Sequence, residues 1–281
     1  MTAASHYFEH DSLRFHYREA GSGIPFVFQH GLGGDSTQTF GLFSPPPGFR
    51  LITLDCRGHG ETHPLGPEEK LSIPQFAEDL RALLDSLHLE QVILGGISLG
   101  AATVLHTALT WPERVRGLVL SRPAWLDTLR TEGFEIFGFI ARLIRRYGAF
   151  QGAIRFQESH EFQRIRDKSP DNALSLLAQF AHPRAEETVA KLERLPLYQP
   201  AHPASRWEKI GVPTLILGSR EDLIHPWASA VEYAHRIPGA ELYELTPKSA
   251  GKEQHALETQ RFISEFLVKL APQSNTIPST I

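Results

Sequence analysis

The chain has 281 residues, enough for one large α/β domain or a domain carrying a sizeable insertion. Its formal net charge is only −4, which gives no electrostatic reason to expect nucleic acid or an anionic membrane as a partner. The single cysteine, Cys56, excludes an internal disulfide and a cysteine-based zinc site.

Near the N-terminus, residues 6–10 and 13–18 are rich in aromatic and alternating residues around Asp11-Ser12 and predict a β-hairpin. This opening has no apolar core, so no signal peptide is expected, and no apolar run reaches membrane-spanning length, which makes the cytoplasm the expected compartment. Short apolar runs at 25–29, 50–54, 91–95, 115–120, 213–217 and 241–245 predict six further strands. Between them, Phe76, Leu80, Leu83, Leu84 and Leu87 recur on one helical face over 72–88. Further helices are expected after Ser98, over 227–236 and over 256–270, and the polar tail from Ala271 is expected to be disordered. Strands alternating with helices imply a mostly parallel, twisted sheet with helices on both faces.

The stretch 124–206 breaks that rhythm. It has many helix formers, a cluster of Phe134, Phe137, Phe139, Ile140, Leu143 and Ile144, and a proline-rich close from Pro196 to Pro203. A helical insertion is expected there, with the core formed by 1–123 and 207–281.

Ligands of a parallel sheet sit beyond the carboxyl ends of its strands. Those ends are followed by His30-Gly31-Leu32-Gly33-Gly34, by Asp55-Cys56-Arg57-Gly58-His59-Gly60, by Gly96-Ile97-Ser98-Leu99-Gly100, by a segment containing Asp127, by Glu221-Asp222, and by a loop leading to His255. A nucleophile, a carboxylate and an imidazole therefore fall at one edge. Gly-x-Ser-x-Gly between an apolar run and a helix opening has the context of a nucleophile elbow, where side chains at the flanking glycines would collide with neighbouring backbone. Fourteen histidines raise a metal site, but H-E-x-x-H does not occur, so no metal is expected.

In this order the motifs resemble the α/β-hydrolase fold family from about Phe15 to Leu267, weakest in the insertion. Cofactor-free esterases, enol-lactonases and carbon–carbon bond hydrolases are the members the chain is most similar to. The resemblance implies a capped serine hydrolase needing no cofactor, with 124–206 as the lid. It implies Ser98 as nucleophile and Asp222, at the family's usual position, as the acid; Asp127 is the alternative and Glu221 a weaker one. Among the late histidines, His225 lies only three residues past Asp222 in the same loop, and His235 falls inside a helix. His255, in the loop after the last strand, is the expected base. The N–H groups of Leu32 and Leu99 are the expected oxyanion donors. The loop 246–254 departs from the short Gly-His turn common in the family, being longer and charged.

The expected reaction is hydrolysis of a small to medium carboxylic ester or lactone through an acyl-enzyme. A carbon–carbon bond hydrolase is the alternative, and a ligand-binding receptor on the same scaffold a third. Trp125, Phe134, Phe137, Phe139 and Trp227 are candidate pocket walls. The partner expected is a small molecule.

Overall fold

The computed structural model describes residues 3–126, 133–198 and 203–272. Among them, eight strands form one sheet: β1 (Ala4–His10), β2 (Leu13–Gly21), β3 (Ile24–Gln29), β4 (Phe49–Leu54), β5 (Val92–Ile97), β6 (Val115–Ser121), β7 (Thr214–Ser219) and β8 (Glu241–Leu245). The spatial order is β1-β2-β4-β3-β5-β6-β7-β8. The β1–β2 and β2–β4 pairs are antiparallel, and every pair from β3–β4 to β7–β8 is parallel.

The central strands read as unbroken apolar runs because both of their faces are covered. Alternation then decides which side chain goes where: Phe26 and Phe28 pack on one side of the sheet, and Val27 between them on the other. The Val27 side is closed by α2 (Ile73–Ser86), α3 (Leu99–Thr110) and α8 (Trp227–Arg236). The Phe26 side is closed by α9 (Lys252–Leu270), with α1 (Ser36–Leu42) also touching β3, β4 and α9. The helix predicted over 72–88 starts behind Ser72, whose side chain accepts a hydrogen bond from Gln75 N–H. The short α1, capped by Asp35, has no apolar periodicity and was not expected.

Between β6 and β7 lie α4 (Glu135–Glu158), α5 (His160–Lys168), α6 (Pro170–Leu177) and α7 (Ala190–Arg194), which pack on one another. Their buried residues join Leu32, Leu99 and Trp125 in one apolar cluster, so this helical insertion covers the carboxyl ends of the central strands. No helix among the described residues is long and apolar enough to cross a membrane.

The turn after β4 is a polar brace. Asp55 accepts hydrogen bonds from Ser36 N–H (2.6 Å), Glu61 N–H (2.9 Å) and His16 Nδ1 (2.7 Å). Burial works to raise its pKa, but these bonds hold it at about 2. Fully buried Arg57 donates to Asp79 at 2.6 and 2.8 Å and to Asp11 at 2.5 Å.

The glycines of the β5–α3 turn are required by close backbone approach. A Cβ on Gly96 would lie 2.2 Å from Gly100 C, and one on Gly100 would lie 2.3 Å from Gln29 O. Gly96→Ala is expected to destabilise the protein by at least about 3 kcal/mol in urea unfolding, because rigid backbone must move to admit the methyl group. Gly41→Ala, in α1 with open space around it, is expected to be neutral or to stabilise by about 0.5 kcal/mol.

Candidate active site

Ser98 stands between β5 and α3 at φ 57°, ψ −115°, a left-handed conformation that a non-glycine residue adopts only when its surroundings impose it. The packing at Gly96 and Gly100 is that imposition. Ser98 N–H is held by Ser121 O at 2.9 Å. Leu99 is the first residue of α3, so its N–H is one of the donors that the helix leaves without an internal acceptor, at the positive end of the helix dipole.

The loop after β3 closes on Ser98 from the other side: a Cβ on Gly31 would lie 3.5 Å from Ser98 Cβ. Two histidines hold its carbonyl groups. His30 Nδ1 donates to Gly31 O (2.8 Å), while His30 Nε2 accepts from Cys56 N–H (3.1 Å). One nitrogen must give a proton and the other must lack one, so His30 is neutral; burial pushes its pKa down accordingly. Gly31 O also accepts from Gly34 N–H at 3.0 Å, and Gly31 N–H is held by Gln38 Oε1 at 2.8 Å. With Gly31 O turned into this scaffold, the trans peptide turns Leu32 N–H the opposite way. His59 Nε2 bonds Leu32 O at 2.9 Å.

The loop from β7 to α8 carries Asp222 and His225. Asp222 Oδ1 accepts Ile224 N–H at 3.1 Å and His225 N–H at 2.9 Å, which winds the loop into a tight turn. That turn brings His225 Nδ1 to 3.1 and 3.0 Å from the two carboxylate oxygens. His225 Nε2 lies 2.8 Å from Ser98 Oγ. Asn172, in the first turn of α6, accepts Leu223 N–H at 2.7 Å, so the helical insertion grips the same loop. Arg122, just past β6, donates from Nε (2.8 Å) and Nη2 (2.5 Å) to Asp222 Oδ2. Burial works to raise the pKa of Asp222, but the charges of His225 and Arg122 and the bonds from His225 hold it well below the ordinary carboxylate range.

The imidazole within bonding distance of Ser98 is thus His225, and the expectation of His255 in that place is corrected. Spacing alone made His225 look too close to Asp222; backbone hydrogen bonds to the carboxylate fold the intervening residues so that the ring turns back across it. His255 lies inside the first turn of α9, which begins at Lys252, four residues earlier than expected. It is buried, and its Nδ1 bonds Thr246 O at 2.8 Å. With Arg122, Asp171, Asp222 and Lys248 it lines a small polar chamber behind the carboxylate. Asp127, the alternative acid, lies outside the described residues. His235, on α8, is in that helix as expected.

Trp125, Phe134 and Phe137 stack in sequence, with ring centroids 4.8 and 6.0 Å apart, in the apolar cluster that includes Leu32 and Leu99. Trp227 is not with them. It opens α8, packs beside Gly218 and lies under the Arg220 guanidinium, 5.3 Å from its ring centre. A cleft of about 610 Å³ runs between α4, α5, α6 and the loop 222–226, walled by Ile136, Phe139, Ile165, Leu176 and Ile224 with Arg142 and Arg164 at its polar parts.

Chemically, a hydroxyl, an imidazole and a carboxylate in line can move a proton off the hydroxyl as it attacks, and the free N–H at the start of α3 can receive the negative charge that forms. Known hydrolases are similar to the chain. The chain is 25% identical to a 2-hydroxy-6-oxononadienedioate/2-hydroxy-6-oxononatrienedioate hydrolase of Paraburkholderia xenovorans (strain LB400), covering 91% of each chain. It is 28% identical to a proline iminopeptidase of Neisseria gonorrhoeae, over 82% of this chain and 84% of that one. The enol-lactonase from Burkholderia xenovorans LB400 superposes with a TM-score of 0.72 at 22% identity, over 93% of this chain and 99% of that one. The model of the alpha/beta hydrolase fold matches residues 24–250, most of the chain. The protein belongs to the α/β-hydrolase fold family and is a hydrolase.

Proposed function

We propose that this hydrolase cleaves a small to medium carboxylic ester or lactone, with Ser98 as nucleophile, His225 as base and Asp222 as acid. The observation that carries the reading is the 2.8 Å contact from His225 Nε2 to Ser98 Oγ, backed by Asp222 at 3.0 Å from His225 Nδ1. Ser98 Oγ attacks the carbonyl carbon as its proton passes to His225 Nε2. The N–H groups of Leu32 and Leu99 receive the oxyanion. The tetrahedral adduct collapses, the imidazolium gives its proton to the departing alcohol oxygen, and an acyl-enzyme remains. A water then loses its proton to His225, attacks the acyl carbon and releases the acid. These steps call for protein groups alone.

The insertion, 124–206, acts as the lid. Its cleft beside the loop 222–226 sets the apolar walls of Ile136, Phe139, Ile165, Leu176 and Ile224 against charged groups, which suits a substrate with a modest hydrophobic acyl group and a polar end. A carbon–carbon bond hydrolase is the second reading, supported by the relative from Paraburkholderia xenovorans, which carries such an activity in its name and matches along nearly the whole chain.

A fluorophosphonate label followed by a substrate panel tests both. Ser98 is expected to be labelled, and Ser98→Ala to abolish labelling and turnover. Hydrolysis of p-nitrophenyl esters well above that of a vinylogous diketone supports the ester reading; the reverse ranking supports the second. A folded protein whose Ser98 resists the label would defeat both.

A further inference from the structure

Asp222 serves an arginine and a histidine. Its Oδ2 accepts both Nε and Nη2 of Arg122 and also faces His225 Nδ1, while its Oδ1 is occupied by the turn that it folds. Arg122 is held to this task by its backbone. It sits at φ 47°, a conformation that a residue with a Cβ adopts only when its surroundings hold it there. Its N–H is fixed by Leu217 O at 2.7 Å, at the end of β7. Its side chain is only 10% exposed, so solvent screens its charge weakly.

A carboxylate facing one imidazole and otherwise neutral donors lends its whole charge to the imidazolium. Here a buried guanidinium takes much of that charge, and it repels the imidazolium besides. We propose that Arg122 is a positioning residue for the relay: its planar fork fixes Asp222 behind His225, and its charge sets how far into acid pH His225 stays a free base. The proposal rests on the reading of Ser98, His225 and Asp222 given above.

Other charged groups surround the relay. Asp171, from α6, lies 3.7 Å from Arg122 Nη2. Lys248, in the loop after β8, and His255, from α9, line the chamber behind Asp222. Glu135 and Arg142 from α4, and Glu161 and Arg164 from α5, line the cleft on the other side of the loop. Of these groups, Arg122 bonds the carboxylate directly, and its fork is the geometry that a point charge such as lysine does not reproduce.

The test is the rate of Ser98 labelling by a fluorophosphonate, and of p-nitrophenyl acetate hydrolysis, across the acid pH range. In the wild-type enzyme the rate is expected to fall toward acid pH as His225 takes up a proton. Arg122→Gln is expected to move that limb up by about one unit, because the imidazolium gains the undivided carboxylate. Arg122→Lys, which keeps the charge, is expected to leave the limb within about 0.3 unit while lowering the rate through the lost fork. Equal rate losses in both variants with no movement of the limb would mean a packing role and would overturn the proposal. If Arg122→Gln does not fold, Arg122→Lys moving the limb by about one unit overturns it alone, since that variant keeps the charge. His225→Gln labelling Ser98 at the wild-type rate would instead remove the relay reading itself, whatever Arg122 does.

Discussion

His225→Gln is expected to lower kcat/KM for an activated ester by about 10⁴-fold or more, while His255→Gln leaves it within about tenfold. The asymmetry follows from what each ring touches. A serine hydroxyl is a weak nucleophile at neutral pH and attacks only as a base removes its proton. His225 Nε2 is 2.8 Å from that hydroxyl, and its Nδ1 is held by Asp222. Glutamine in its place keeps the backbone bond from residue 225 to Asp222 but offers no nitrogen able to take up a proton. His255 is tied through Nδ1 to Thr246 O, nine residues earlier. Removing that bond loosens the loop after β8 by about 1 kcal/mol. Steady-state kinetics on both variants, with folding checked by circular dichroism, decides the matter. If His255→Gln were the crippled variant, the loop 246–251 would have to bring its histidine to Ser98 in a second arrangement, and the geometry of His225 would be incidental.

The strands and most helices were legible in the sequence because burial on two faces leaves little choice. A run such as Pro25-Phe26-Val27-Phe28 can sit only between two helical layers, and α8 runs over the expected 227–236. The elbow was legible for steric reasons: two glycines spaced around a serine mark backbone passing backbone. Strand position alone left Asp222 and Asp127 both open; the resemblance to the family favoured Asp222, whose carboxylate lies beside His225. The imidazole beside it could not, since the turn through Leu223 and Ile224 is made by hydrogen bonds to Oδ1, and residue spacing does not display them. A trace was present. Gly251 is followed by Lys252 where the family often has a Gly-His turn, and a histidine stands three residues after the acid, ahead of Pro226. Trp227 misled for a different reason. As the first residue of α8 its ring direction depends on how that helix meets β7, and it packs beside Gly218, away from the aromatic stack around Trp125.

Lys191→Met is expected to make the protein more stable by about 3 kcal/mol at pH 6, with the gain vanishing toward pH 10. Lys191 lies on α7 and is 3% exposed, and its Nζ donates to Gly58 O at 3.0 Å. Burial, helped by the charge of Arg184 and opposed by Asp35, pushes its ammonium down to about 7 from an ordinary value of 10.5. Between those two values the unfolded chain binds one proton more than the folded one, so stability rises with pH across that window. Below about pH 7 both states hold the proton and the full burden of an enclosed charge falls on the folded state, on the order of 3–5 kcal/mol. Methionine matches the stem and removes the charge, but it leaves Gly58 O without this donor, which takes back about 1 kcal/mol or more. Once the wild-type lysine is neutral it still donates to Gly58, so the two stability curves converge and then cross. Urea unfolding of both proteins at pH 6 and pH 9 checks this; parallel curves would show that the amine is not confined as the structure has it. The position of this burden is itself informative. Gly58 precedes His59, which bonds Leu32 O, so the contact joins the helical insertion to the loop that closes on Ser98. Tension of this kind gathers where a fold serves chemistry at the expense of stability.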